Sequence, residues 1–154
     1  MIPVAGTAEE LSGLFLRGCL PYAGRPAALR QWAAREQLPE VPDPARAAFL
    51  HGAPGKVFDA SNAAGKFALL SSDDGICAVV TDRADDRQTA QSLERMLRED
   101  GLKFRLVIER NDKTNAKLHH REYLAAGHGG AWRILAATVR DAASGQAMLT
   151  AAPE

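Results

Sequence analysis

His119, His120 and His128 are three of the chain's four histidines, and they share the stretch NDKTNAKLHHREYLAAGHGGAW with Arg121, Glu122, Tyr123 and Trp132. Imidazoles and carboxylates at this density could hold zinc or move a proton. Their spacing argues against both. Zinc sites commonly set two histidines one helical turn apart, as in H-E-x-x-H, or bring them from separate strands onto one face. In an extended strand neighbours point to opposite faces, so His119 and His120 cannot reach one ion unless a bulge intervenes. His128 falls in the turn signal GHGG, and His51 at a helix end, where a cation suits the terminal carbonyls. No metal and no cofactor are expected.

Nucleophilic chemistry has no better signal. The chain lacks a G-x-S-x-G elbow, no cysteine adjoins a histidine, and Cys77 lies in the apolar run GICAVV, which disfavours a thiolate. APGK and AAGK resemble fragments of a phosphate loop but lack the full motif and the helix that should follow. No catalytic residue is assigned.

What remains is a surface. If KFRLVIE buries Phe104, Leu106 and Ile108 under a helix, then Lys103, Arg105, Val107 and Glu109 face away, beside Lys117, His119, Arg121 and Tyr123 on the next strand. Arginine and aromatic residues tend to anchor interfaces, which makes His119, Arg121, Tyr123 and Trp132 the candidate binding residues. The plain alternative is a solvated sheet face. On either exposed reading, alanine at His119, Arg121 or Tyr123 should change stability by only about 0.5 kcal/mol. Leu118 and Leu124 would then face the core. Glu109 and Glu122 dilute the basic field, and no RNP-like aromatic pair appears, so nucleic acid is not an expected partner.

These residues need elements to position them. TAEELSGLFLRGC has capping-box spacing at Thr7 and Glu10 and helical recurrence of Leu11, Leu14, Phe15 and Cys19. A second helix opens at Pro26. A third takes Asp43 as cap and Pro44 as its first residue, and ends at Gly52. From Gly55 the period becomes strand-like: KVFDAS, KFALLSS and GICAVVT read as a meander. DRADDRQTAQSLERMLREDG is the longest helix, with Leu93, Met96 and Leu97 inward and Gly101 as its stop. LKFRLVIER, AKLHHREYLAA, AWRILAATVR and QAMLTAA follow as four antiparallel strands, with DAASG before the last. The expected architecture is one α+β domain over 1–154: a helical layer at 1–53, then strands, a long helix and strands at 54–154. The order after Gly55 resembles the profilin-like and roadblock/longin arrangements, and that likeness of order carries no activity.

Nineteen Lys+Arg balance nineteen Asp+Glu, so the long-range field that draws proteins to nucleic acid or anionic membrane is missing. No apolar run approaches the ~20 residues that span a bilayer. The opening MIPVAGTAEE has no basic and apolar leader, which fits either a cytosolic start or a mature sequence after a removed signal. Cys19 and Cys77 leave two states open. They are buried free thiols, or a bridge closing a loop of nearly sixty residues, which the chain-entropy model values at roughly 4 kcal/mol.

The order of FLRGCL, AAFLHGAPGKVFDAS and DDGICAVV resembles small uncharacterised exported proteins and lipoproteins of proteobacteria, over the first half to two-thirds of the chain. The resemblance implies the Cys19–Cys77 bridge, a periplasmic or outer-membrane-associated location, and a signal or lipid anchor on a longer precursor. It supplies no catalytic residue. The leading expectation is an exported, non-enzymatic domain that binds a protein or envelope component. The alternatives are a hydrolase or metal-dependent enzyme using the 119–132 region, and a cytosolic adaptor or immunity-type protein.

Overall fold

The computed structural model describes residues 6–139 and 145–154; all of the expected DAASG turn but its glycine lies outside them. In the first third, helical recurrence of apolar side chains gives α1 (Thr7–Gly18), α2 (Pro26–Arg35) and α3 (Ala45–Leu50), with a short 3-10 turn at Leu20–Tyr22. The expected caps differ. Gly6, which has no side chain to offer, caps α1, and the Glu10 carboxylate instead accepts from Asn62 Nδ2 at 3.0 Å. Asp43 is drawn off the start of α3 by Arg46, whose Nη2 donates to its Oδ2 at 2.6 Å. At the other end of α3 His51 takes the left-handed position, φ 52°, one residue before the expected glycine.

The long helix α4 (Asp86–Glu99) begins where Asp85 Oδ2 accepts from the Gln88 amide at 2.9 Å. It starts later than its charge pattern suggests, because Asp82–Ala84 continue the preceding strand. Leu93 and Leu97 are fully buried, Met96 is half-buried, and Gly101 closes the helix at φ 80°.

Seven strands form one antiparallel sheet: β1 (Gly55–Asp59), β2 (Phe67–Ser72), β3 (Cys77–Ala84), β4 (Lys103–Asn111), β5 (Leu118–Gly127), β6 (Gly130–Val139) and β7 (Gly145–Pro153), in the order β1-β2-β3-β7-β6-β5-β4. Two meanders are thus joined by the pairing of β7 with β3. Helices α1, α2 and α4 cover one face, here the inner one, where Leu11, Phe15, Leu29, Leu93 and Leu97 pack with Leu69, Val79, Ile134 and Leu149. Cys19, at the end of α1, is bonded to Cys77, at the start of β3, with Cα atoms 5.6 Å apart. The bridge the residues left open is formed.

The outer face is covered over half its width. Leu50 of α3 and Val41 seal Val57, Leu70, Ala78 and Val80, with Met148 at the boundary. The segment before α3 also caps the β1 edge, through Val41 N to Val57 O and Asp59 N to Pro39 O, each 2.8 Å. Among the described residues, no helix lies over the outer side of β4, β5 and β6. Among the described residues, too, no helix is long and apolar enough to cross a membrane.

Candidate binding surface

One irregularity decides which side chains meet. The β4–β5 register shifts between Leu106 and Ile108, so Val107 is an extra residue in β4. A one-residue insertion exchanges the two faces of a strand beyond it. Phe104 points inward as expected, against Tyr123 with ring centroids 6.0 Å apart. After the bulge Ile108 turns outward, opposite Glu122, while Glu109 and Asn111 turn inward, opposite Arg121 and His119. Leu106 keeps its inward phase, yet on this edge strand it is 44% exposed. The expectation that Leu106 and Ile108 are core residues is therefore corrected.

The same register places His119, Arg121 and Tyr123 on the inner face, contrary to the exposed face expected for them. All three are buried, Tyr123 completely. Leu118 and Leu124, expected in the core, occupy the outer face and are half-buried. His119 and His120 do point to opposite sides. His120 faces outward with Nε2 3.1 Å from Asp112 Oδ1, while His119 has Nε2 3.0 Å from Glu109 Oε2 and Nδ1 2.9 Å from Asn111 Oδ1. Arg121 is held harder still: Nη1 donates to Asp86 Oδ1 at 2.7 Å and Nε to Glu109 Oε2 at 3.1 Å. Thr138 Oγ1 donates to Asp86 Oδ1 at 2.5 Å, and Tyr123 OH to Glu94 Oε2 at 2.8 Å.

The electrostatics follow from this packing. Burial alone would raise the Asp86 carboxyl, but hydrogen bonds from Arg121 and Thr138, with the Arg121 charge, outweigh it and hold the pKa at about 2. The bond with His119, against the opposing effect of burial, holds the Glu109 carboxyl below its ordinary range. Burial, then the bond to Glu94, raises the Tyr123 phenol. Such groups tie the first turn of α4 to β4, β5 and β6. They satisfy one another within the fold. Among the described residues, no group of three or more His, Cys, Asp or Glu is arranged to hold a metal ion.

Trp132 is also on the inner side, half-buried at the opposite end of the sheet; its indole lies over Gly130, where an added Cβ would come within 2.8 Å of the ring. The structure thus brings His119, Arg121 and Tyr123 into one row and sets Trp132 apart from it.

The open half of the outer face is different in kind. Ile108 and Leu135, 42% and 39% exposed, lie among half-buried Leu118, Leu124 and Val139. Arg133 donates to Glu122 and lies 3.5 Å from Glu154, so the middle of the surface holds one cation between two carboxylates. Along β4, Lys103, Arg105 and Arg110 face the same way, opposite Ala126, Leu124 and His120. Among the described residues none of these three cations has an ion-pair partner. A depression of about 320 Å³ opens at one end, lined by Lys103, Arg105, Leu124, Ala126, Ala131 and Glu154 among others. Reading the sequence missed Ile108, Arg110, Leu124 and Leu135 as surface residues. The outward alternation of Lys103 and Arg105 was visible, but Arg110 joins their face only through the bulge.

Fold and surface together define an α+β domain with one helix-covered sheet face and one half-open face. No family model matches the chain, and no match is found among curated proteins or solved structures.

Proposed function

We propose that the chain is an exported, periplasmic or envelope-associated domain that binds a protein through the open half of its sheet and performs no catalysis. The observation that carries this reading is the uncovered outer side of β4–β6, an apolar field with Ile108 42% and Leu135 39% exposed. Antiparallel sheets often leave one face to water, and that face is then polar. Here Ile108, Leu118, Leu124, Leu135, Val139 and three alanines surround the Arg133–Glu122 pair and the Asp112-bound His120, with Lys103, Arg105 and Arg110 along the β4 border, an apolar centre with charge at its rim that suits an interface.

The compartment rests on the Cys19–Cys77 bridge, since disulfides persist in oxidising compartments and are rare in reducing ones. The resemblance to exported proteins points the same way. Catalysis by the 119–132 region is disfavoured because His119, Arg121 and Tyr123 spend their polar atoms on Glu109, Asp86 and Glu94.

Site-specific photo-crosslinking in the native cell tests the reading. A photoreactive residue at Leu124 or Leu135 should give a discrete protein adduct, and one at Gln91, exposed on α4, should give none. Adducts from Gln91 alone would refute the surface assignment.

A further inference from the structure

We infer that the open half of the outer face receives an acidic amphipathic helix of the partner protein, laid along the strands with its acids against Lys103, Arg105 and Arg110. This rests on the protein-binding reading above and adds the chemistry of the bound segment.

Shape is the first argument. From β4 to β7 the face is three strand spacings wide, ~14 Å, and its strands of nine or ten residues run for ~30 Å, whereas a helix with side chains is ~10 Å across. One helix of about four or five turns fills that strip. The chain already uses this solution next door, where Leu50 of α3 seals the outer side of β1–β3.

Charge selects the partner. Between Lys103 and Lys117 lie five cations and two carboxylates, in a chain whose formal net charge is zero. Glu109 is engaged by His119 and Arg121, and Asp112 by His120. Among the described residues Lys103, Arg105 and Arg110 have no ion pair, and they lie along one border of a strip that includes Leu118, Leu124, Leu135 and Ile108. An acidic row beside an apolar row is the pattern of an amphipathic helix. A second copy would bring the same cationic border against itself. An added strand on the β4 edge would meet the break in the ladder at Val107.

The test uses the full chain, nitrogen-15 labelled, titrated with a helix-stapled Leu/Glu peptide of about 18 residues, ~27 Å long. Its Leu/Lys counterpart, an extended alternating Leu/Glu peptide and phosphatidylglycerol vesicles are titrated in parallel. The acidic helix should shift the amides of Arg105, Arg110, Leu124 and Leu135 saturably and bind at least roughly ten-fold more tightly than the Lys helix. The double variant Arg105→Glu, Arg110→Glu should fold normally and invert that preference. Equal binding of both helices, an unchanged preference in the double variant, or no saturable shift of these amides by the acidic helix overturns the inference. If the extended peptide occupies the face and the helix does not, the helix is wrong while the protein-binding surface stands. Binding to the vesicles alone refutes both, and self-association of the free chain through this face refutes the helix and makes a second copy the protein bound.

Discussion

Arg121 is buried, and its guanidinium is held between Asp86 and Glu109. Replacing Asp86 with Ala leaves that charge with one carboxylate in place of two, and breaking a buried pair typically costs ~3–5 kcal/mol. Protonating Asp86 should do the same more gently. Its folded pKa of about 2 lies below its value of 3.8 in the unfolded chain, so the stabilisation is complete above the unfolded value and fades as pH falls toward 2. A lowering of this size corresponds to roughly 2 kcal/mol. Urea unfolding of the native chain and Asp86→Asn between pH 6 and about 2 checks this: the gap between them should be widest above pH 4 and close below it. Nothing in LHHREYL announces the pairing. Its two leucines fall at even positions while His119, Arg121 and Tyr123 fall at odd ones, so alternation alone turns the wrong set toward the helix.

Among the elements, α4 and its neighbours show what the sequence can and cannot reveal. Leu93 and Leu97 at helical spacing and the stop at Gly101 are visible in the chain, and both are found. The two runs of strands and their hairpins are equally legible, including the His128–Gly129 turn with φ of 52° and 80°, whereas the pairing of β7 with β3 that joins them is not. The caps are not: the Glu10 carboxylate is taken by Asn62, which only the folded chain brings near, and Asp43 by Arg46. The bulge at Val107 is the costliest omission: one extra residue moves Ile108 outward and lets Glu109 and Asn111 meet Arg121 and His119. For α4, Asp85→Ala removes the acceptor of the Gln88 amide and should cost about 1 kcal/mol in thermal or urea unfolding.

For the molecule as a whole, Cys19–Cys77 ties α1 to the centre of the sheet across 58 residues. Intact mass after alkylation without reduction should show no modified thiol, and reduction should lower stability by roughly 4 kcal/mol on the chain-entropy model. The spacing of the cysteines was legible, whereas their meeting depended on packing α1 over β3. The inner row of β5 is held within the fold, and we propose that the outer face is free to bind. Equilibrium unfolding of two single variants in one buffer tests it most directly. Arg121→Ala should lose about 3 kcal/mol or more, and Leu135→Ser should stay within about 0.5 kcal/mol of the native chain. A nearly neutral Arg121→Ala beside a strongly destabilised Leu135→Ser would contradict the account.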